Sequence, residues 1–277
     1  MTEAKERWAA GDRYEPYVGR WSRKVAVELL DWLRVPPGAT WLDVGCGTGA
    51  LSSQILERER PSAIVGVDPS AEFIAHARSR VGDARVSFQV GDAQALPVES
   101  ARFDAAAAAL VLNFVPRPEA AMAQMVRAVK PGGTVAAYVW DYAGKMELMR
   151  FFWDAAVALD PAVAELDEGR RFPMCRPDAL KALFDGAGLD AVEVRSLDIA
   201  TPFRDFDDYW TPFLGGQGPA PGYAMSLDEG ARVALRERIR EALPIRADRG
   251  IDLMARAWAA KGTVSQADRR PASNAAA

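Results

Sequence analysis

Three glycines stand at alternate positions in LDVGCGTGALS, between a strand-like stretch and a helical pattern. These residues are Gly45, Gly47 and Gly49. Because glycine has no Cβ atom, such a turn can bring backbone amides close to a ligand at the start of a helix. A Walker phosphate loop would need a following lysine, which is absent, whereas Ala50 leaves a dinucleotide fingerprint possible. The turn therefore predicts a nucleotide-like ligand without identifying it.

Three carboxylates lie at the ends of predicted strands near this turn. Asp68 ends the second strand, where it can accept hydrogen bonds from the hydroxyls of a ribose. Asp92 ends the third, and with the amide of Ala93 it can read the edge of an adenine. Asp43 precedes the turn, where it would repel a pyrophosphate but not a ligand with ammonium and sulfonium groups. Together they favour an adenosine with a cationic tail.

The elements that must position these residues alternate along the first half of the chain. Five strand candidates are separated by amphipathic helices: TWLDVG, AIVGVD, VSFQVGD, FDAAAAALVLNFV and TVAAYVW. The alanine run at 105–109 has high helix propensity, yet its place between a turn and a helix favours a strand. The alternation predicts a parallel sheet with helices on both faces and a ligand at the carboxyl ends of the strands. Two later strands are predicted at 189–200 and 251–262.

The motifs LDVGCGTGALS, VGVDPS, GDAQALPVESARFDAAAAALVLNFV and VKPGGTV follow one another between residues 40 and 140. In order and spacing they resemble the class I S-adenosylmethionine-dependent methyltransferases, especially the small-molecule enzymes of the ubiquinone/menaquinone-biosynthesis type (type 11). The resemblance implies an α/β fold with a doubly wound, mostly parallel, Rossmann-like sheet of seven strands whose last strand is antiparallel. It also implies an N-terminal helical lid, an inserted aromatic-rich cover, S-adenosylmethionine as the cofactor, and a small-molecule acceptor.

The resemblance assigns roles around the methionine portion, the ribose and the adenine of the cofactor. The implied binding residues are Asp43, Gly45, Cys46, Gly47, Gly49, Asp68, Pro69, Asp92, Ala93 and, through its carbonyl, Leu110. An N-terminal lid would add Tyr17, whose ring would lie against the sulfonium, and Arg20, whose guanidinium would meet the carboxylate of the cofactor. The alternative is that this segment only anchors the first helix.

The acceptor is expected near the carboxyl end of the fifth strand. Methyl transfer is an in-line displacement that depends on alignment and exclusion of water, and it needs a base only when the nucleophile arrives protonated. Asp141 and Tyr142 follow the fifth strand and are the catalytic candidates, with an ordinary turn as the alternative. Four further residues are predicted to line the substrate pocket: Tyr14, Asn113, Tyr209 and Trp210. Asn113 stands where related enzymes often have histidine or another polar residue.

Composition excludes several classes of function. The 277 residues carry a net charge of -4 with mixed signs, which argues against a nucleic-acid partner. No apolar run reaches the ~18 residues of a membrane span, and the start of the chain lacks the apolar stretch of a signal peptide. The two cysteines have no CxxC partners, which favours a reducing, cytoplasmic location. The single histidine argues against a metal centre.

The predicted organisation has three parts. They are an N-terminal lid and helix at 1–35, a methyltransferase domain at 36–262 with cover insertions at 142–175 and 201–250, and a disordered tail at 263–277.

Two other functions remain open from the sequence. An NAD(P)-dependent oxidoreductase could use the same turn and Asp68, but a Tyr-x-x-x-Lys dyad is lacking because Lys145 follows Tyr142 by only three positions. A non-catalytic protein that binds S-adenosylmethionine could share every cofactor motif.

Overall fold

A sheet of seven strands forms the centre of the protein, and a computed structural model describes the chain over residues 15–216 and 218–266. The strands are β1 (Thr40–Val44), β2 (Ala63–Asp68), β3 (Val86–Val90), β4 (Phe103–Ala109), β5 (Val129–Trp140), β6 (Leu189–Phe203) and β7 (Ile251–Val264). Their order is β3-β2-β1-β4-β5-β7-β6; β7 runs antiparallel to β5 and β6 on either side of it, and the other described pairs are parallel. The predicted α/β sheet with an antiparallel last strand is confirmed.

Helices connect and flank these strands. In the described part of the chain they are α1 (Arg20–Leu33), α2 (Ala50–Arg58), α3 (Ala71–Arg80), α4 (Pro118–Ala128), α5 (Glu147–Leu159), α6 (Glu168–Arg171), α7 (Pro177–Gly186), α8 (Phe206–Trp210), α9 (Pro219–Ser226) and α10 (Glu229–Ala242). A π-helical turn at Glu15–Gly19 leads into α1, and short 3₁₀ turns occur at Leu112–Phe114, Pro161–Leu166 and Thr211–Gly215. Within residues 15–216 and 218–266, no helix combines the length and the apolar character that crossing a membrane requires.

The alanine run forms the middle strand of the sheet, as the context of the sequence predicts. Residues 105–108 are buried, and Ala107 lies opposite both Asp43 of β1 and Ala136 of β5. Pairing on both sides and complete burial override the helix propensity of alanine. The register also brings the end of β4, and therefore Leu110, next to the glycine turn that follows β1.

Aromatic residues of the predicted cover lie inside the hydrophobic core. The ring of Phe213 stacks on Phe152 of α5 with centroids 4.6 Å apart, and it meets Tyr17 edge-on at 5.4 Å. Tyr209 is fully buried. These contacts join residues 206–215 to α5 and to the turn before α1. The predicted tail is described only as far as residue 266, and β7 accounts for its first two residues; the remainder, 267–277, lies outside the described residues.

Candidate functional site

A cavity of about 360 Å³ opens along the carboxyl ends of β2, β1, β4 and β5. Its wall includes the glycine turn, the end of β2, the residues after β4, and the end of β5. Part of the wall comes from Val18 of the N-terminal turn and Ser22 of α1. The volume lies within the range of roughly 300–1,000 Å³ that is typical of small-molecule sites. The ligand position predicted from strand alternation therefore coincides with a real cavity.

The glycine turn is held by β2 and by residues after β4. The amides of Gly45 and Cys46 both donate to the carbonyl oxygen of Val67, at 2.7 and 3.1 Å. Gly45 and Gly47 have φ values of +70° and +53°, which side chains disfavour. A Cβ atom on Gly45 would come within 2.5 Å of Val111, whereas one on Gly47 would meet no described atom within 4 Å. Gly45 therefore packs closely against Val111, whereas the backbone of Gly47 faces open space in which a ligand can approach it.

Asp68 is fixed in place by backbone amides. Its two carboxylate oxygens accept hydrogen bonds from the amides of Gly47 and Ser70, each at 2.9 Å. Burial raises the pKa of Asp68, and the two amide hydrogen bonds oppose that rise. Since the side chain also lines the cavity, its carboxylate is oriented before any ligand binds. Pro69 and Ser70 continue the wall beyond it.

Asp43 is a completely buried carboxyl at the base of the turn. Ser52 of α2 donates its hydroxyl to Oδ2 at 2.6 Å, while Oδ1 is buried without a hydrogen-bond partner. Burial raises the pKa of Asp43 from 3.8 to about 7, against the effect of the Ser52 hydrogen bond. An orphaned acceptor in a cavity wall is suited to a ligand that brings a hydrogen-bond donor, and a cationic donor is the best match.

Of the residues predicted to bind the adenine edge, Leu110 lines the cavity, whereas Asp92 and Ala93 do not. Leu110 lines the cavity with a φ of +59°, and its amide donates to the Tyr138 carbonyl at 2.8 Å. The cavity wall does not include Asp92 or Ala93. Asp92 is exposed and accepts the amide of Gln94 at 2.8 Å. Its role at the adenine edge stays a prediction.

Four aromatic side chains, Phe114, Tyr138, Trp140 and Tyr142, line the part of the cavity nearest to β4 and β5; we call them the aromatic wall. Only Tyr142 is among the residues predicted from sequence. Tyr138 and Trp140 point into the cavity because they end a strand next to the middle of the sheet. Their position at a carboxyl end is the signal that could have found them. The position of Phe114 in the wall could not be predicted from a sequence pattern, because the 3₁₀ turn that carries it is seen only in the structure.

Two N-terminal candidates have partners inside the protein. The Tyr17 hydroxyl donates to the sulfur of Met149 at 2.9 Å, and Tyr17 is not part of the cavity wall, although Val18 is. Arg20 forms an ion pair with Asp208 of α8 at 3.1 Å, and it too is outside the wall. The structure thus places both residues behind the cavity and beside the aromatic core. Tyr14 lies outside the described residues.

The remaining candidates also have structural contacts away from the cavity wall. Asp141 is buried and accepts the amide of Lys145 at 3.0 Å. Tyr209 donates its hydroxyl to the Leu148 carbonyl at 2.8 Å, and Trp210 is buried beside it. These contacts match the turn alternative for Asp141 and a packing position for the two aromatic residues.

Asn113 lies next to the cavity but outside its wall. It sits in the 3₁₀ turn after β4, one residue before Phe114 of the aromatic wall. Its Nδ2 is buried without a hydrogen-bond partner. The amide is therefore a spare donor close to the site, and its role in the substrate pocket stays a prediction.

Comparisons with known proteins agree with this fold. The family described as "Methyltransferase domain" matches residues 42–137, from β1 to the middle of β5. The ubiquinone/menaquinone biosynthesis C-methyltransferase of Methylobacterium nodulans is 31% identical over 172 residues, covering 56% of this chain and 68% of that protein. The 2-methyl-6-phytyl-1,4-hydroquinone methyltransferase of a Synechocystis species is 31% identical over 187 residues, covering 66% and 57%. The chain spans less than half of several other curated relatives that it matches.

A solved structure shows that the fold is shared. Phosphoethanolamine N-methyltransferase 2 of Haemonchus contortus, in complex with S-adenosyl-L-methionine, superposes with a TM-score of 0.57 at 19% identity, covering 91% of this chain and 56% of that one. The chain belongs to the S-adenosylmethionine-dependent methyltransferases. The prediction made from the four motifs is confirmed, and the oxidoreductase alternative is set aside.

Proposed function

We propose that this methyltransferase methylates a small, flat and largely apolar acceptor that binds against the aromatic wall. One observation carries the proposal: a single cavity contains the glycine turn, two buried carboxylates and the four rings of the aromatic wall, with Phe73 as a fifth ring. The order of the strands spreads these groups along one edge of the sheet, from Asp68 after β2 to Trp140 at the end of β5. A cofactor and an acceptor can therefore lie side by side along this edge.

The residues of the cavity fit S-adenosylmethionine, which supplies a methyl group on a positively charged sulfur. The unpartnered Oδ1 of Asp43 would accept from the ammonium group. The bare backbone at Gly47 would let the methionine portion approach closely. Asp68, already oriented by two amides, would accept from the ribose hydroxyls. Cys46 and Pro69 would contact the cofactor through van der Waals packing.

The character of the wall favours an uncharged aromatic acceptor. Among the described residues that line the cavity, the charged side chains are Asp43 and Asp68, and no Lys, Arg or His is present. An anionic acceptor would lack a partner there, whereas a flat ring can stack on the aromatic wall. The Synechocystis relative is named for a hydroquinone, which is a ring of this kind. Aromatic faces also attract a sulfonium cation and would help to hold it beside the acceptor.

Titration calorimetry with S-adenosylmethionine and S-adenosylhomocysteine tests the cofactor half of the proposal. We expect micromolar binding of both, and loss of binding in Asp68→Ala. Asp83→Ala is the matched control, since Asp83 also accepts the amide two residues later, at 2.9 Å, but lies outside the cavity wall. Equal loss in both variants would mean that the effect comes from a damaged turn and not from the site.

A methylation screen tests the acceptor half. The wild-type protein is incubated with S-adenosylmethionine and a panel of hydroquinones, catechols and phenols, with aliphatic amines and carboxylates as the contrasting set, and S-adenosylhomocysteine release is measured. Turnover confined to the aromatic set is expected. Turnover only with charged aliphatic acceptors would refute the assignment. Tight binding without turnover on any acceptor would favour the non-catalytic alternative.

A further inference from the structure

One arginine of α5 joins the aromatic wall to the segment that lies behind it. Arg150 donates to the backbone carbonyl of Tyr142 at 2.8 Å, and Tyr142 is part of the wall. The same guanidinium donates to both carboxylate oxygens of Asp167, at 2.9 and 2.8 Å. The side chains of Arg150 and Asp167 are only 16% and 11% exposed. Because two nitrogens meet one carboxylate, the guanidinium has a fixed orientation, and its contact with Tyr142 is fixed with it.

Tyr142 depends on such a contact more than its neighbours in the wall do. The last residue of β5 that pairs with β7 is Trp140, and Tyr142 follows in the turn that leads to α5. Its backbone therefore lies beyond the hydrogen-bond ladder that fixes Tyr138 and Trp140. The position of the Tyr142 ring in the cavity is set by contacts outside the sheet, and the guanidinium of Arg150 supplies one of them.

Asp167 also fixes the start of α6. Its Oδ1 accepts the amide of Gly169 at 2.8 Å. Gly169 is buried, and a Cβ atom on it would lie 2.9 Å from Arg150 Nη1 and 3.0 Å from the Cα atom of Ala143, which follows Tyr142. The absence of a side chain at Gly169 therefore lets α6 approach both the guanidinium and the turn that carries Tyr142.

The chain after α6 returns to the aromatic wall. Phe172 follows α6 directly, and its ring packs on Phe114 and Tyr142 with centroids 5.1 and 5.7 Å apart. Both of these rings line the cavity, whereas Phe172 does not, so it supports them from behind. Ring pairs of this kind have a preferred geometry. The α6 segment thus contacts the wall at its start, through Arg150, and just after its end, through two rings.

We propose that Arg150 is a positioning residue for the acceptor. By fixing Tyr142 directly, and Phe172 through Asp167, it sets the orientation in which a flat ring presents its nucleophile to the methyl group. The inference rests on the proposed function. In-line displacement tolerates little misalignment, so a shift of about 1 Å in the wall can slow transfer by roughly 10²-fold while the cofactor still binds. Arg150 itself does not line the cavity and acts only through the wall.

Gly169→Ala is the sharpest perturbation, because it leaves every charge in place. The added methyl group would push against Arg150 Nη1, which is the atom that donates to the Tyr142 carbonyl. Gly222→Ala is the matched control. Gly222 also lies within a short helix, α9, and a Cβ atom there would meet no described atom within 4 Å.

Two substitutions of Arg150 test the guanidinium itself. Arg150→Met removes all of its hydrogen bonds. Arg150→Lys keeps the charge beside Asp167, but one ammonium group cannot reproduce the planar fork, so a partial effect is expected. Asp154→Asn is the control for both, because Asp154 pairs with the same guanidinium at 3.1 Å, yet its side chain is 74% exposed and outside the cavity wall.

The first readout needs no acceptor. Each protein is labelled with 3-fluorotyrosine, and the ¹⁹F resonance of Tyr142 is assigned with Tyr142→Phe. The resonance should shift or broaden in Gly169→Ala and in Arg150→Met, because the ring moves relative to Phe172, and it should keep its position in both control variants. A Tyr142 resonance that stays the same in Gly169→Ala and Arg150→Met overturns the inference, whatever the acceptor is.

The second readout is kinetic and uses a phenol or hydroquinone that the wild type methylates. In Gly169→Ala and Arg150→Met we expect kcat/KM for the acceptor to fall by about 10- to 100-fold, while the Kd of S-adenosylhomocysteine in calorimetry stays the same. Arg150→Lys should retain part of the activity, and the two controls all of it. A merely structural role would weaken cofactor binding and acceptor use together, so equal losses in both measurements overturn the inference, as does an unchanged kcat/KM.

Failure of the proposed function looks different from failure of this inference. Wild-type protein that binds the cofactor but methylates no aromatic acceptor refutes the proposed acceptor class, and the positioning role with it. An active wild type whose kcat/KM is the same in Gly169→Ala and Arg150→Met leaves the proposed function intact and refutes the role of Arg150 alone.

Discussion

Replacing Asp43 by asparagine should stabilise the cofactor-free protein at pH 7 and above while weakening cofactor binding. The folded protein holds the Asp43 proton up to a pKa of about 7, whereas the unfolded chain releases it near 3.8. Between these values the folded state binds the extra proton, so stability falls as pH rises, by about 1.4 kcal/mol per pH unit. The complete penalty is roughly 4 kcal/mol, an upper limit because water in the cavity screens the charge. Asparagine avoids this penalty and can still accept from Ser52.

Urea unfolding of both proteins at pH 5, 6, 7 and 8, without cofactor, measures this effect. The stability of Asp43→Asn minus that of the wild type should grow with pH and level off above pH 7. Other groups that titrate in the same window cancel in this difference. A difference that stays constant from pH 5 to 8 would refute the reasoning. Calorimetry at pH 8 should show at least about tenfold weaker binding of S-adenosylmethionine, since a charged hydrogen bond contributes roughly 1.5–3 kcal/mol.

Four further variants separate packing from binding. Gly45→Ala should lower the unfolding midpoint strongly, because its Cβ would overlap Val111, and Gly45→Ala combined with Val111→Ala should recover part of the loss. Gly47→Ala should cost only about 1 kcal/mol of stability through its positive φ but should abolish cofactor binding, as measured by calorimetry. Phe213→Ala should cost about 3–5 kcal/mol in urea unfolding because it leaves a cavity beside Phe152, whereas retained stability would show that residues 206–215 act as a movable cover.

Local sequence patterns predict which residues around the glycine turn meet at one edge of the sheet. The glycine turn, Asp43 and Asp68 each lie directly at the end of a short apolar strand, so their relative positions depend on strand order and on a few residues of chain. The alanine strand is predictable for the same reason: the turn before it and the helix after it favour a strand, although alanine itself favours a helix. Parallel strands bring such ends to one edge, and the structure places these residues in one cavity wall.

The N-terminal cofactor candidates and the acceptor candidates were not predictable in the same way. The pairing of Arg20 with Asp208 and the burial of Tyr209 both depend on contacts between segments that are far apart in the sequence. A tyrosine in a segment rich in Pro and Gly can equally be a lid residue or a core residue, and no periodicity distinguishes the two.

The place of β7 in the sheet has a consequence for how the chain is made. β7 is the last described strand to leave the ribosome, yet it lies between β5 and β6 and pairs with both. Until residues 251–264 emerge, both of those strands present unpaired edges, which can pair with other chains. The sheet can therefore close only after residues 251–264 have emerged, and messages truncated before codon 251 should yield aggregating protein that chaperones retain.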